Sequence, residues 1–389
     1  MKIIGAHVLG PDFQFHNQTI EIRGERIASL QEMATSPTTS QETSCDVVSY
    51  EGMKIIPGLI DVHMHGYRGH SCTAEDPDDL IQIAEDLAKE GVTGFAAGIS
   101  TMSAERMGAA TRAAVQASRQ LQNQTDKALL LGIHLEGPFL NPQKKGAMDE
   151  TAIQTPNPET LQRLLDQGQG LIRLITLAPE MPGAEAVIRL AVQKGVTVSM
   201  GHTMATYPEA KTAIRLGAAR VTHTFNAMRP LGHRDSGILG AALLEDTVQC
   251  ELIGDLVHVA PEICTLLYRL KGADRMTLIS DSCQLAGLRP EELPEDVPII
   301  LKDAAYLPNG TLCGSIGTVM TMVRNMVSLG VPLEEAVRMA SFNPARDLHC
   351  ENDLGSIAPG KLANLVVLDD ALRVRAVYIN GSLVSGVAN

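Results

Sequence analysis

Six side chains able to bind a metal ion stand near the ends of predicted β-strands. They are His63 and His65 in DVHMHG, Glu136 in HLEGPF, His202 in GHT, His223 in THTFNAM and Asp281 in SDS. Imidazole nitrogen and carboxylate oxygen are ligands of catalytic Zn²⁺ or Fe²⁺. Such an ion lowers the pKa of a bound water to about 7, and a free carboxylate nearby can move its proton. The residue types therefore predict metal-dependent hydrolysis, with Asp281 as the acid/base.

The spacing of these residues supports a shared site. Alternate residues of a strand point to the same side, so His63 and His65 can bind one ion together. A single histidine is more often a packed or solvated residue than a ligand. Six such groups on five of eight strand ends favour a metal site, because they would be costly to bury without a partner. We expect a hydrogen-bonded structural role for His134.

Eight short apolar runs alternate with amphipathic helical segments and would position these groups. The runs are GLIDVHMH, VTGFAAGIS, ALLLGIHLEG, IRLITLAPE, VTVSMGHT, RVTHTFNAM, VQCELIGDLVHV and RMTLISDS. This alternation over about 230 residues is typical of an α/β fold with a (β/α)₈ TIM-like barrel, whose strand ends converge on one face. A doubly wound sheet is the rival, and the lack of G-x-G-x-x-G after the first strand counts against a dinucleotide fold.

Both ends of the chain have the texture of short strands. KIIGAHVL and QTIEIRGERIASL precede the barrel, and GKLANLVVLDD and RVRAVYINGSLV follow it, with Asn380-Gly381 as a tight-turn signal. We expect residues 1–56 and 347–389 to form one small β-sandwich domain, with the barrel of residues 57–346 inserted between its two parts.

Composition narrows the class of protein. A net charge of −13 over 389 residues argues against nucleic acid or a membrane surface as the main partner. No apolar stretch reaches the roughly 18 residues of a membrane helix. Seven scattered cysteines without a C-x-x-C pair indicate a reduced protein. The first residues, MKIIGAHVLG, lack the pattern of a signal peptide, so we expect a cytoplasmic location.

Several motifs together resemble a known family. DVHMHG, HLEGPFLNP, GHT, THTFNAM, SDS and the closing GSIAPGKLANLVVLD are similar to the amidohydrolase superfamily, and within it to the N-acetylglucosamine-6-phosphate deacetylases. HLEGPFLNP and HTFNAM are specific to that branch. The resemblance implies hydrolysis of the N-acetyl group of N-acetyl-D-glucosamine 6-phosphate with one or two divalent ions per subunit, Zn²⁺ first and Fe²⁺ as the alternative.

The resemblance also implies roles for individual residues. Glu136, His202 and His223 match the principal metal ligands, His63 and His65 match a second-metal pair that only some members possess, and Asp281 matches the acid/base beside the metal. Seven residues match substrate contacts, namely Ala147, Asn226, Ala227, His258, Leu312, Cys313 and Gly314. Arg234 matches a phosphate contact supplied by the neighbouring subunit, which implies a homodimer.

The chain departs from the family pattern near the substrate. Met148 stands where a polar group often holds the substrate, and Leu256 replaces a glycine two residues before His258. These departures leave open another amino-sugar phosphate, such as the galactosamine isomer. An amidohydrolase acting on a cyclic amide or nucleobase is a further alternative. A non-catalytic phosphosugar sensor is disfavoured, because a sensor has no need of a general base.

Overall fold

The computed structural model describes residues 1–32, 46–122, 124–294, 297 and 299–386. Cys45 lies outside these residues, and the six other cysteines are free thiols. Among the residues described, no helix combines the length and the apolar character that crossing a membrane requires.

Strands and helices alternate through the middle of the chain. The strands are β1 (Lys2–Ile4), β2 (His7–Leu9), β3 (Phe15–Arg23), β4 (Arg26–Glu32), β5 (Val47–Ser49), β6 (Lys54–Pro57), β7 (Leu59–Met64), β8 (Gly66–Tyr67), β9 (His70–Ser71), β10 (Val92–Ser100), β11 (Leu129–Glu136), β12 (Ile172–Leu177), β13 (Thr197–Met200), β14 (Arg220–Val221), β15 (Gln249–Ile253), β16 (Met276–Ile279), β17 (Ile300–Leu301), β18 (Ala305–Tyr306), β19 (Leu365–Leu368), β20 (Val374–Ile379) and β21 (Ser382–Gly386). The α-helices are α1 (Pro77–Lys89), α2 (Ala104–Leu121), α3 (Pro158–Gly168), α4 (Ala184–Gln193), α5 (Tyr207–Arg215), α6 (Gly237–Leu244), α7 (Pro261–Lys271), α8 (Val319–Ser328), α9 (Leu333–Ala340) and α10 (Phe342–Asp347).

Eight parallel strands form the barrel in the order β7, β10, β11, β12, β13, β14, β15 and β16. Each lies within one of the eight apolar runs, so the predicted (β/α)₈ barrel is confirmed. The first and last strands meet at their carboxyl ends, where the Asp281 N–H donates to the His63 carbonyl at 2.9 Å and the His65 N–H donates to the Ser282 carbonyl at 2.8 Å. These bonds hold two of the sequence motifs, DVHMHG and SDS, side by side.

The helix α1 shows how the local sequence sets the outer layer. The Asp76 side chain caps its start by accepting from the Asp78 N–H at 3.0 Å. Leu80, Ile83 and Leu87 recur at helical spacing and are buried against the barrel. The chain leaves the helix at Gly91, whose φ of +83° favours glycine, and it enters β10 immediately afterwards.

The two chain ends form a separate nine-stranded sheet, as the strand texture predicted. β1 to β6 contribute its N-terminal part and β19 to β21 its C-terminal part. The β20–β21 hairpin turns at Asn380 and Gly381, both with positive φ, as the Asn-Gly signal indicated. The division of the chain into domains at residues 56 and 347 stays a prediction. The sheet has its own core, which includes Ile3, Val8, Ile20, Ile55, Leu365 and Tyr378.

Candidate metal centre

The barrel brings all six predicted metal-binding side chains to one end. His63 lies within β7 and Glu136 is the last residue of β11. His202, His223 and Asp281 each follow the end of their strand by two residues. This is the carboxyl end of the parallel strands, where barrel enzymes build their active sites.

Glu136, His202 and His223 form a buried group whose ligand atoms converge. The Glu136 Oε1 lies 3.0 Å from the His202 Nε2 and 3.1 Å from the His223 Nε2, and the two nitrogens are 3.0 Å apart. The His202 Nδ1–H donates a hydrogen bond to the Lys144 carbonyl at 2.7 Å. When the ring is neutral, its Nε2 therefore carries a lone pair. Lone pairs crowded against a carboxylate are satisfied by a cation, so this group fits a divalent ion.

His63, His65 and Asp281 form a second group beside the first. The Asp281 Oδ1 lies 3.3 Å from the His65 Nε2 and 3.7 Å from the His63 Nε2. The Glu136 Oε2 lies 3.2 Å from the His65 Nε2, so one carboxylate adjoins both groups. The His63 Nε2 and the Glu136 Oε2 are buried and have no hydrogen-bond partner among the residues that the structure describes. Such orphaned polar atoms fit ligands of an ion, and the arrangement has room for one ion or two.

Three of these candidate ligands have a left-handed backbone conformation. The φ angles of His202, His223 and Asp281 are +46°, +29° and +47°. This conformation costs about 1–2 kcal/mol for a residue with a Cβ, and it persists where the surrounding structure imposes it. For His223 it explains a difference from the sequence prediction. The run RVTHTFNAM was expected to be strand, but regular pairing ends at Val221 and the chain then turns to aim His223 at Glu136.

The electrostatics of the site keep its acids ionised. Burial by itself would raise the pKa of Glu136, but the neighbouring His202 and His223 hold it well below its usual range. Burial likewise opposes ionisation of Asp281, and His63 and His65 outweigh it to keep that pKa low. Burial would lower the pKa of His65, whereas Asp281 and Glu136 raise it to about 10. A bound ion would replace that proton, because metal ligation requires the neutral imidazole.

A cavity of about 560 Å³ opens above the two groups. It is large enough for a sugar phosphate and is lined on one side by His65, Glu136, His202, His223 and Asp281. All seven predicted substrate contacts line it, namely Ala147, Asn226, Ala227, His258, Leu312, Cys313 and Gly314. Arg234 is different, because it is exposed on the loop before α6 and does not line the cavity of its own chain.

His258 is held in a fixed orientation toward the cavity. Its Nδ1 lies 2.6 Å from the Asp255 Oδ2, and the N–H groups of Val257 and His258 donate to the Asp255 Oδ1. Burial would lower the pKa of His258, but the bond to Asp255 raises it. Leu256, which replaces the family's glycine, has a left-handed φ of +64°, a backbone conformation that favours glycine.

Three residues of the site were missed by the sequence prediction. Lys144 lines the cavity, and its side chain has no hydrogen bond or ion pair among the described residues. Glu251 and Arg220 are fully buried beneath His63, 2.9 Å apart. The sequence did contain a signal for this pair, because Glu251 and Arg220 are charged residues in the apolar stretches VQCELIGDL and ARVTHT. A charge buried in a strand requires a buried partner. His134 has the structural role expected of it, with its two nitrogens 3.1 Å from the Val62 carbonyl and 2.8 Å from the Thr176 hydroxyl.

The fold and the donor set define a barrel protein with a histidine–carboxylate centre suited to a divalent ion. The model of the amidohydrolase family matches residues 55–384, and the chain belongs to this family.

Relatives agree with the branch that the motifs indicated. An N-acetylglucosamine-6-phosphate deacetylase of Lysinibacillus sphaericus is 36% identical over 331 residues, covering 84% of this chain and 84% of that protein. An N-acetylgalactosamine-6-phosphate deacetylase of Escherichia coli O157:H7 is also 36% identical, over 338 residues that cover 85% of this chain and 88% of that protein. The solved structure of a mutant N-acetyl-D-glucosamine-6-phosphate deacetylase from Mycobacterium smegmatis in complex with N-acetyl-D-glucosamine-6-phosphate has a TM-score of 0.88, 31% identity and 99% coverage of both chains.

Proposed function

We propose that this protein hydrolyses the N-acetyl group of N-acetyl-D-glucosamine 6-phosphate, giving D-glucosamine 6-phosphate and acetate. The observation that carries the proposal is the Asp281 carboxylate, which faces the cavity from within 3.3 Å of His65 and adjoins the buried ligand group. The names of the relatives supply the substrate class.

Glu136, His202 and His223 would hold the principal divalent ion, and His63 and His65 a second one with Asp281 at its edge. Nitrogen-rich ligation with one carboxylate suits Zn²⁺ first and Fe²⁺ as the alternative. Such an ion supplies a Lewis acid and lowers the pKa of water bound to it.

The remaining chemistry belongs to side chains of the protein. Asp281, kept ionised by its neighbours, accepts a proton from the attacking water and delivers it to the amine nitrogen as the C–N bond breaks. His258, oriented by Asp255 and biased toward its protonated form, donates from Nε2 to the oxygen of the acetamide. Asn226, Ala227 and the segment 312–314 would contact the sugar, and Ala147 would complete the wall.

The phosphate of the substrate requires cationic side chains, and few of them line the cavity of one chain. Among the described residues that line the cavity, Lys144 is the one lysine or arginine. We infer that Arg234 of a second copy completes the phosphate site, which makes the protein a homodimer. Its planar guanidinium can donate two parallel bonds to a phosphate. We place the enzyme in the cytoplasm, a reducing compartment that suits its free thiols.

A second candidate substrate is N-acetyl-D-galactosamine 6-phosphate. The relative named for that substrate is as similar to this chain as the relative named for the glucosamine isomer, at 36% identity. Met148, which lines the cavity, cannot donate a hydrogen bond to a sugar hydroxyl.

The proposal is tested by measuring the metal content of the purified protein together with acetate release from both epimers. We expect metal in the protein and release from the glucosamine isomer that is lost on chelation and restored by Zn²⁺. Faster release from the galactosamine isomer would make that isomer the substrate and would leave the proposed deacetylation reaction unchanged. Metal without release from either epimer would contradict the proposed substrate class.

A further inference from the structure

We infer that Glu251 is a positioning residue for both metal-binding groups, acting on the side chain of His63 and on the backbone of His223. The inference rests on the proposed metal-dependent function. Glu251 lies in the middle of β15 and is fully buried beneath the cavity, so it does not touch the substrate.

One carboxylate makes all of the relevant contacts. The Glu251 Oε2 accepts from the His63 Nδ1 at 3.0 Å and from the His223 N–H at 3.1 Å. The Glu251 Oε1 accepts from the Arg220 Nη2 at 2.9 Å. The same side chain thus joins β7, which carries His63 of the second group, to the turn that carries His223 of the first.

Behind Glu251 a chain of buried charges runs to the outer layer of the barrel. Arg220 in β14 is fully buried and also pairs with Asp347 at the end of α10. Asp347 accepts from the Thr277 hydroxyl at 3.0 Å. The guanidinium of Arg220 therefore holds the Glu251 carboxylate in place from behind.

The contact to His63 determines which ring nitrogen can bind metal. When the Nδ1–H donates to Glu251, the Nε2 of the neutral ring carries the lone pair. That Nε2 lies 3.5 Å from the Glu136 Oε1 and 3.7 Å from the Asp281 Oδ1, where an ion would sit. Without the carboxylate, the ring can hold its proton on Nε2 and present no ligand to the ion.

Glu251, His63 and His134 are close enough to be a metal site of their own, but their hydrogen bonds argue otherwise. The His134 Nδ1 faces the Val62 carbonyl, and its Nε2 faces the Thr176 hydroxyl. With both nitrogens engaged, His134 packs against the His63 ring at 4.5 Å between centroids and restricts its rotation.

The variant Glu251→Gln tests the inference because it keeps the shape and removes the charge. A glutamine has one acceptor oxygen. In one orientation the amide oxygen accepts from His63 and the amide N–H₂ points at Arg220, which is also a donor. In the other, the N–H₂ points at the His223 N–H and the His63 Nδ1–H, which are donors too. We expect Zn²⁺ affinity to fall about 10- to 100-fold, measured by competition with a chromogenic chelator. We also expect the ¹⁵N signals of His63, recorded on metal-free protein at a pH high enough for the ring to be neutral, to move toward the Nε2–H tautomer, with the assignment made by their loss in His63→Asn.

Leu252→Ala is the matched control, since Leu252 is a buried neighbour on the same strand and its loss destabilises the barrel without touching His63. Equal loss of Zn²⁺ affinity in both variants, or unchanged affinity and tautomer in Glu251→Gln, would overturn the inference. If Glu251→Gln does not fold, Glu251→Asp withdraws the carboxylate by one methylene, and the same fall in affinity is expected. If Glu251→Gln binds Zn²⁺ more weakly but the wild-type protein releases no acetate, the inference about Glu251 stands and the proposed substrate is wrong.

Discussion

Asp281 is the residue to which we assign the acid/base role. It borders the cavity, adjoins His63 and His65, and is kept ionised by them. We expect Asp281→Asn to lower turnover by at least about 100-fold, because an amide cannot take the proton. The principal ion should remain bound, since Glu136, His202 and His223 are unchanged. Acetate release and metal analysis on one sample check both statements, and turnover close to wild type would contradict the assignment.

Two neighbouring lysines differ in what they are free to bind. Lys144 lines the cavity, and within the described part of the chain its side chain has no hydrogen bond or ion pair, whereas the Lys145 Nζ donates to the Met148 carbonyl at 3.2 Å. We expect Lys144→Met to raise KM for the phosphorylated sugar about 10-fold, equivalent to about 1.4 kcal/mol, because a phosphate contact is lost. Activity on the unphosphorylated sugar should not change.

Lys145→Met is the control for that substitution, with the same loss of charge one residue away. If both variants raise KM equally, the effect is one of net charge and Lys144 makes no specific contact.

At the scale of elements, polar groups inside the barrel join its strands. His134 on β11 bonds to the Val62 carbonyl on β7 and to Thr176 on β12, and the Thr176 hydroxyl lies 2.7 Å from that of Thr222. Burial, with the nearby His63, lowers the pKa of His134 to about 3, from an ordinary value of about 6.5. The folded state therefore keeps His134 neutral where the unfolded chain takes up a proton.

This difference predicts a pH dependence of stability. Because the folded pKa lies below the unfolded one, the contribution of His134 is fully present above about pH 6.5 and is lost as the pH falls toward 3. In His134→Asn, the free energy of unfolding should fall by about 2 kcal/mol less between pH 7.5 and pH 5 than in wild type. Urea denaturation of metal-free protein measures it, and parallel pH curves for the two proteins would rule the explanation out.

At the scale of the whole molecule, Arg234 is exposed and lies outside the cavity of its own chain. A mixing experiment can tell whether it completes the cavity of a second copy. If each cavity uses Arg234 of the partner subunit, the Asp281 and the Arg234 of one site come from different subunits. A mixed dimer of Arg234→Met and Asp281→Asn then contains one site with both residues intact. Mixing the two inactive proteins under subunit exchange should restore about a quarter of wild-type activity, since half of the dimers are mixed and one of their two sites is intact.

The control for this experiment mixes Asp281→Asn with His202→Asn. Every site then lacks either the acid/base or a metal ligand, so no activity should return. Absence of recovery in the Arg234 mixture, with subunit exchange demonstrated, would show that Arg234 does not act across subunits.

The sequence by itself determined the number and order of the barrel strands and the candidate ligands. Apolar runs of strand length separated by amphipathic helices fold into few architectures, and parallel strands must bring their carboxyl ends together. His63, Glu136 and Asp281 could therefore be assigned to one site from their places at strand ends. The Asn380-Gly381 turn was equally predictable, because its positive φ angles are a local property.

Tertiary structure alone decided how those residues meet. The turn that aims His223 at Glu136 breaks a stretch whose composition favours strand, because packing imposes a backbone that the local sequence does not prefer. The buried chain from Asp347 through Arg220 to Glu251 joins residues far apart in sequence, and its charges are compatible only because they neutralise one another inside the barrel. Which nitrogen of His63 faces Glu136 and Asp281 depends on the contact of that chain with the ring, so it is a property of the assembled barrel.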